Sequence, residues 1–216
     1  MRIQDIVRKT LQEISPKKDI KSIYGGYSIR FELGGSLRNG TKKRVKQVVE
    51  RATEIFNQTI GFDDVLLVIK EYPNEFYDKN NGNKDYLYSL LNRDKLKLYK
   101  GPFEQTYFET DNEGIKRELV FEELLDCDLL IGKMAQIELD SHNIIQGRAN
   151  LEMGFKPCIP QNIVFFSPTT TNGFNIYDDR GCDIWSSDKE KLRPIYESLN
   201  NWILDYNRSE IDEIFK

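Results

Sequence analysis

Apolar residues recur at three- and four-residue spacing at Ile3, Ile6, Val7, Leu11 and Ile14. That spacing puts them on one side of a helix, which Ser15-Pro16 ends because proline disfavours helical geometry in the residue before it. The pattern changes to strict alternation in YSIRFELGG, where Tyr27, Ile29, Phe31 and Leu33 point one way and Ser28, Arg30 and Glu32 the other. A period of two predicts a strand with one buried and one wet face. Beyond the glycines at 34, 35 and 40, Thr41 is positioned as an N-cap, and Val45, Val48, Val49, Ala52, Ile55 and Phe56 predict a helix over 42–59. Val65 to Ile69 is an unbroken apolar run, the mark of a central strand covered on both faces. Strand, helix and strand in this order fit a crossover unit with parallel strands.

The middle of the chain carries mixed signals. YDKNNGNKD (77–85) reads as a polar loop, and 85–92 as a short helix. TYFETDNEGIKRELVF reads as a hairpin turning at DNEG, with a helix over 115–125 as the rival reading. LLIGKMAQIEL suits a strand, and Ser141 is placed to cap a helix reaching Gly154. NIVFFS (162–167) predicts a buried strand. FNIY (174–177) and CDIW (182–185) predict two strands joined by Asp178-Asp179-Arg180-Gly181. Ser187 or Asp188 then caps a helix whose apolar side runs from Leu192 through Trp202 and Ile203 to Tyr206, and SEIDEIF forms a last turn. Strands and helices alternate irregularly, which predicts an α+β fold: a single mixed or mainly antiparallel sheet with helices packed on one side. Neither a repeat nor a linker-like tract interrupts the pattern, so 1–216 is expected to be a single domain.

Composition narrows the classes. The 216 residues are 39% hydrophobic, 31% charged and 12% aromatic, as expected for a chain with a packed core rather than a disordered one. The net charge of −4 argues against nucleic acid or an anionic membrane as a partner. The densest basic run, KKRVK at 42–46, sits on a predicted helix and reads as a solvated face. No signal peptide or membrane span is expected. Cys127, Cys158 and Cys182 form no zinc spacing, so reduced thiols in the cytoplasm are expected.

Candidate chemistry concentrates in YDDRGCD, where Asp178, Asp179, Arg180, Cys182 and Asp183 crowd together. A hairpin turn explains the acids, whose side chains bond amides two residues on, and Gly181, which tolerates positive φ. It does not explain Arg180. That residue either pairs with an acid at the tip or offers a fork of donors to a partner's carboxylate or phosphate. Arg30 and Glu32, side by side on the wet face of their strand, are expected to form a local ion pair or part of a binding surface. Trp185 and Trp202 are expected to be structural, Trp185 anchoring the hairpin from inside. A metal site at Asp178, Asp179 and Asp183 is disfavoured because Arg180 would repel a cation. Cys182 lacks an obvious base, since His142 is the lone histidine. No phosphate-loop motif accompanies the glycine pairs, and neither metal nor cofactor is expected.

The run RANLEMGFKPCIPQNIVFF (148–166), continuing into FNIYDDRGCDIW and LRPIYESLNNWILDYNRSEIDEIF, resembles the bacterial family called domain of unknown function 3885. IRFELGG and ERATEIF are similar to the opening of that family. The DDRG turn and WILDYNR are the most specific parts, and nothing is carried onto 77–140. The resemblance implies a cytoplasmic bacterial protein and no particular activity. Members resemble small proteins found near secreted polymorphic toxins, where immunity proteins are common, a contextual association rather than chemistry. The function expected is therefore a protein-binding module such as a toxin-neutralising immunity protein, with a protein toxin as candidate partner. In this reading Asp178, Asp179, Arg180 and Asp183 stand on a rigid hairpin tip that reaches the partner. The alternative is an enzyme using the DDRG turn on a small or phosphorylated substrate. The oligomeric state stays open.

Overall fold

The computed structural model describes residues 1–15, 25–62, 64–73, 84–110 and 115–216. Pro16, Asp63, the polar stretch 77–83 and the DNEG turn lie outside them. The frame is a seven-stranded sheet built from β1 (Tyr27–Glu32), β2 (Val65–Glu71), β3 (Lys97–Tyr99), β6 (Asp128–Met134), β7 (Asn162–Phe166), β8 (Asn172–Ile176) and β9 (Gly181–Ser186). Their spatial order is β1-β9-β8-β7-β2-β6-β3, and every neighbouring pair is antiparallel. A separate two-stranded ribbon pairs β4 (Phe103–Thr110) with β5 (Lys116–Leu125), so the hairpin reading holds there over the helical one.

The helices are α1 (Ile3–Ile14), α2 (Lys42–Ile60), α3 (Asp85–Ser89), α4 (Ser141–Met153), α5 (Lys189–Ser198) and α6 (Asp205–Phe215). Thr41 caps α2 by accepting from the Arg44 amide at 3.3 Å. The cap of α4 is Asp140, which accepts from Asn143; Ser141 is the first helical residue instead. Asp188 rather than Ser187 caps α5.

The α+β class with one antiparallel main sheet is what the chain adopts. Alternation along the strands divides the core in two. On the first face Ile29, Phe31, Leu67, Phe165, Phe174 and Ile184 pack under α2, α4, α5 and α6. On the second face Leu66, Val68, Leu129, Val164 and Phe166 pack under α1 together with Phe103 of the ribbon. The helices are therefore not confined to one side: α1 covers the other. The reason is in β2, whose buried residues face both ways and must be shielded on both.

Two expectations about connectivity need correction. β1 and β2 do run in the same direction, but β9, β8 and β7 lie between them. The crossover through α2 thus spans three strands that come later in the chain. The long C-terminal helix also does not exist. It stops at Ser198, and Asn200–Trp202 make a 3-10 turn. Ile203 then forms an antiparallel bridge with Phe31, and the Leu204 amide donates to the Arg30 carbonyl at 3.0 Å. Covering the open edge of β1 satisfies backbone groups that a continued helix would leave exposed. SEIDEIF consequently belongs to α6, and Tyr206, expected inside, is 88% exposed.

Candidate functional site

The β8–β9 hairpin forms as expected, with Ile176 opposite Cys182 and Asn175 opposite Asp183. The turn it carries is not a free tip. Asp178 and Asp179 are only 6% and 3% exposed, and each carboxylate is taken by an arginine. Asp178 accepts from the Arg180 amide and from the Arg180 Nε, both at 2.7 Å. Asp179 accepts from Arg44 Nε of α2 at 2.5 Å, with both side chains almost wholly enclosed. The same Arg44 donates through Nη1 to the carbonyls of Gly35 and Leu37. From α4, Arg148 reaches the carbonyl of Tyr177, along with those of Ile159 and Pro160. The Arg180 carbonyl in turn accepts from the Leu33 amide at 2.8 Å. Two helices and the end of β1 thus clamp the turn to the body of the protein.

The acids of the turn therefore face inward, and only Arg180, with 75% of its side chain exposed, faces solvent. Gly181 shows no positive φ. What its position needs is the absence of a Cβ, because the Tyr177 hydroxyl and the Phe31 carbonyl fill that space. Cys182 is fully buried, and burial pushes its thiol well above the usual range. A nucleophile would require the opposite shift.

Below the turn, on the second face, lies a polar strip. Arg30 and Asp183 are direct partners across β1 and β9 and form a bidentate pair at 2.7 and 3.1 Å. The expected Arg30–Glu32 pair gives way to this one, because a cross-strand partner on the same face is closer than a residue two along. The side chains of Arg30 and Asp183 are 40% and 20% exposed. The Arg30 guanidinium lies 5.8 Å from the centre of the Tyr177 ring. Burial, then the neighbouring Asp183 charge, pushes the Tyr177 phenol up. Glu32 sits half-buried at the end of the strip, opposite Gly181.

The two tryptophans lie outside the strip. Trp185 is buried on the second face with α1, stacked over Gly173. Trp202 packs partly against the first-face core, with Arg51 5.3 Å from its ring centre. Sequence reasoning missed Arg44, Arg148 and Tyr177. Burial of an arginine on a predicted apolar helix face was the one signal available, in the Arg44 that precedes Val45. Among the described residues no group of three His, Cys, Asp or Glu side chains is placed to hold a metal ion, and no helix is long and apolar enough to cross a membrane.

With the geometry in place, comparison with known proteins adds lineage. The chain is 28% identical over 208 residues to "Uncharacterized protein YnaE" of Bacillus subtilis (strain 168), a match that covers 87% of this chain and 91% of the relative. No solved structure matches it. The family model for domain of unknown function 3885 matches residues 7–207, which take in β1, α2, the clamped turn and the polar strip, and the chain therefore belongs to that family.

Proposed function

We propose that this chain is a protein-binding module that neutralises a basic protein, such as a toxin, by covering it. The observation that carries this reading is the Arg30–Asp183 pair with the Tyr177 ring beside it, a pair whose side chains keep 40% and 20% of their surface open to solvent. Arginine and tyrosine are the residues most often found at the energetic centres of protein interfaces. Here both are held by neighbours before any partner arrives, so little side-chain freedom is lost on binding. Arg180 extends the strip at the turn, and Glu32 adds an acid. The net charge of −4 favours a basic partner through long-range attraction. Work inside the cell fits three buried, unpaired cysteines.

The enzyme reading draws less support. For Asp179 to act as a base, its buried pair with Arg44 would have to open, and Arg180 stands outside rather than over a pocket containing both acids.

The test is co-expression with the product of the adjacent gene in a permissive host. The wild-type chain is expected to restore growth, and an Arg30→Gln/Tyr177→Ala double variant with an unchanged melting temperature is expected to fail. A neighbour that is harmless, or that kills regardless, would remove the toxin from the proposal. Full rescue by the variant would remove the strip.

A further inference from the structure

On the other side of the molecule from the strip, α2 and α4 leave a groove of about 430 Å³ between them. Its apolar wall is Val45 and Val49 of α2, closed by Phe155 just past α4. The loop that carries Phe155 is fixed in place. Gly154 ends α4 in the left-handed region at φ 71°, the Phe155 amide donates to the Asn150 carbonyl at 3.0 Å, and Asn150 Nδ2 donates to the Pro157 carbonyl at 2.8 Å. The rim is basic: Lys42, Lys46 and Lys156. Lys46 stands 3.7 Å from Glu50, but neither Lys42 nor Lys156 has an acidic partner among the described residues. In a chain of net charge −4, this is a local reversal of sign.

The groove also has direction. Gly40, just before α2, touches Met153 at the end of α4, so the two helices run antiparallel. Lys42 and Lys156 therefore share one end, and Glu50 and His142 the other. The positive end of the α2 dipole and the negative end of the α4 dipole meet there and offset one another, so the lysines carry the positive charge of that end. A ligand that suits this arrangement is negative at one end and apolar along its length.

We propose that the α2–α4 groove binds a small amphiphilic anion, with a carboxylate or phosphate head between Lys42 and Lys156 and an apolar body along Val45, Val49 and Phe155. The volume lies within the range of small-molecule pockets, roughly 300–1,000 Å³. The site is independent of the polar strip and stands or falls without it.

The test is calorimetric titration of the full chain with decanoate and with decyl phosphate, both below their micelle concentrations. Inorganic phosphate and decyltrimethylammonium serve as probes lacking the tail and carrying the opposite charge. At least one anionic amphiphile is expected to bind, and its preference over the other names the head group. A Lys42→Gln/Lys156→Gln variant should weaken it about tenfold through loss of charge-assisted contacts, while Arg180→Ala leaves it unchanged. Methyl resonances of Val45 and Val49 should shift on binding. Absence of binding by both anions overturns the proposal. So does equal binding by the ammonium amphiphile, by phosphate alone or by the lysine variant.

Discussion

Arg44 and Asp179, 135 residues apart in sequence, form an ion pair at 2.5 Å inside the protein, one from the first turn of α2 and the other from the β8–β9 turn. Arg44 also satisfies two carbonyls of the β1–α2 loop, so a single guanidinium joins three segments. Breaking a buried pair from one side leaves an uncompensated charge and costs about 3–5 kcal/mol. Arg44→Met is expected to lose that much in urea denaturation. Adding Asp179→Asn to Arg44→Met should recover part of it, because a neutral amide is cheaper to bury than a carboxylate. A cost below about 1 kcal/mol for Arg44→Met would mean that the pair is solvated.

Arg180 sits on the same turn and should behave in the opposite way. Its side chain is mostly exposed, and Asp178 keeps its bond from the Arg180 amide when the side chain is removed. Arg180→Ala should therefore change stability by no more than about 1 kcal/mol. If the turn borders the proposed interface, the variant should also weaken the partner in calorimetry. Unchanged affinity would take Arg180 out of that surface.

Trp185 and Gly173 are opposed across β8 and β9, and the indole occupies the space where a Cβ at 173 would go. Gly173→Ala should push the ring aside and cost about 1–3 kcal/mol, the usual range for overpacking. The displaced indole should show as a change in tryptophan fluorescence of the native state. An unaltered spectrum and melting temperature would mean that the ring has room to spare.

The buried thiols give a pH dependence with a definite sign. Burial pushes Cys127 up from 9.0 to about 11 and raises Cys182 as well. The unfolded chain then loses these protons before the folded one does. Their stabilising contribution is fully present below pH 9 and is lost as the pH rises towards about 11. Stability should fall across that window, and Cys127→Ala should flatten the fall. In native protein at neutral pH, a disulfide reagent should find all three thiols unreactive. Rapid labelling of Cys182 would contradict the fold around β9.

Much of this architecture was legible locally. Period-two alternation at Tyr27–Leu33 and the unbroken run at Val65–Ile69 marked one strand open on one face and one covered on both. Thr41 marked the start of α2. These features depend on residues within a turn or a strand of one another, and short-range backbone geometry decides them. The turn at 178–181 was legible for the same reason, since Asp178 bonds an amide two residues on.

What the charges on that turn do was settled elsewhere. Asp179 looked like a candidate for solvent or partner until α2 brought Arg44 to it, and Arg30 turned from Glu32 to Asp183 once β9 lay alongside. The helical pattern after Leu192 was broken because the edge of β1 needed Ile203 and Leu204. In each case a contact more than a hundred residues away outweighed a local preference worth a few tenths of a kcal/mol to about 1 kcal/mol per residue. Local pattern was enough for α1, β1, α2, β2 and the β8–β9 hairpin and for the apolar face of each. Strand order, which helix covers which face, and the partners of Asp179 and Asp183 came from packing, because pairing partners far apart in the chain are chosen by burial and by charge compensation rather than by neighbours.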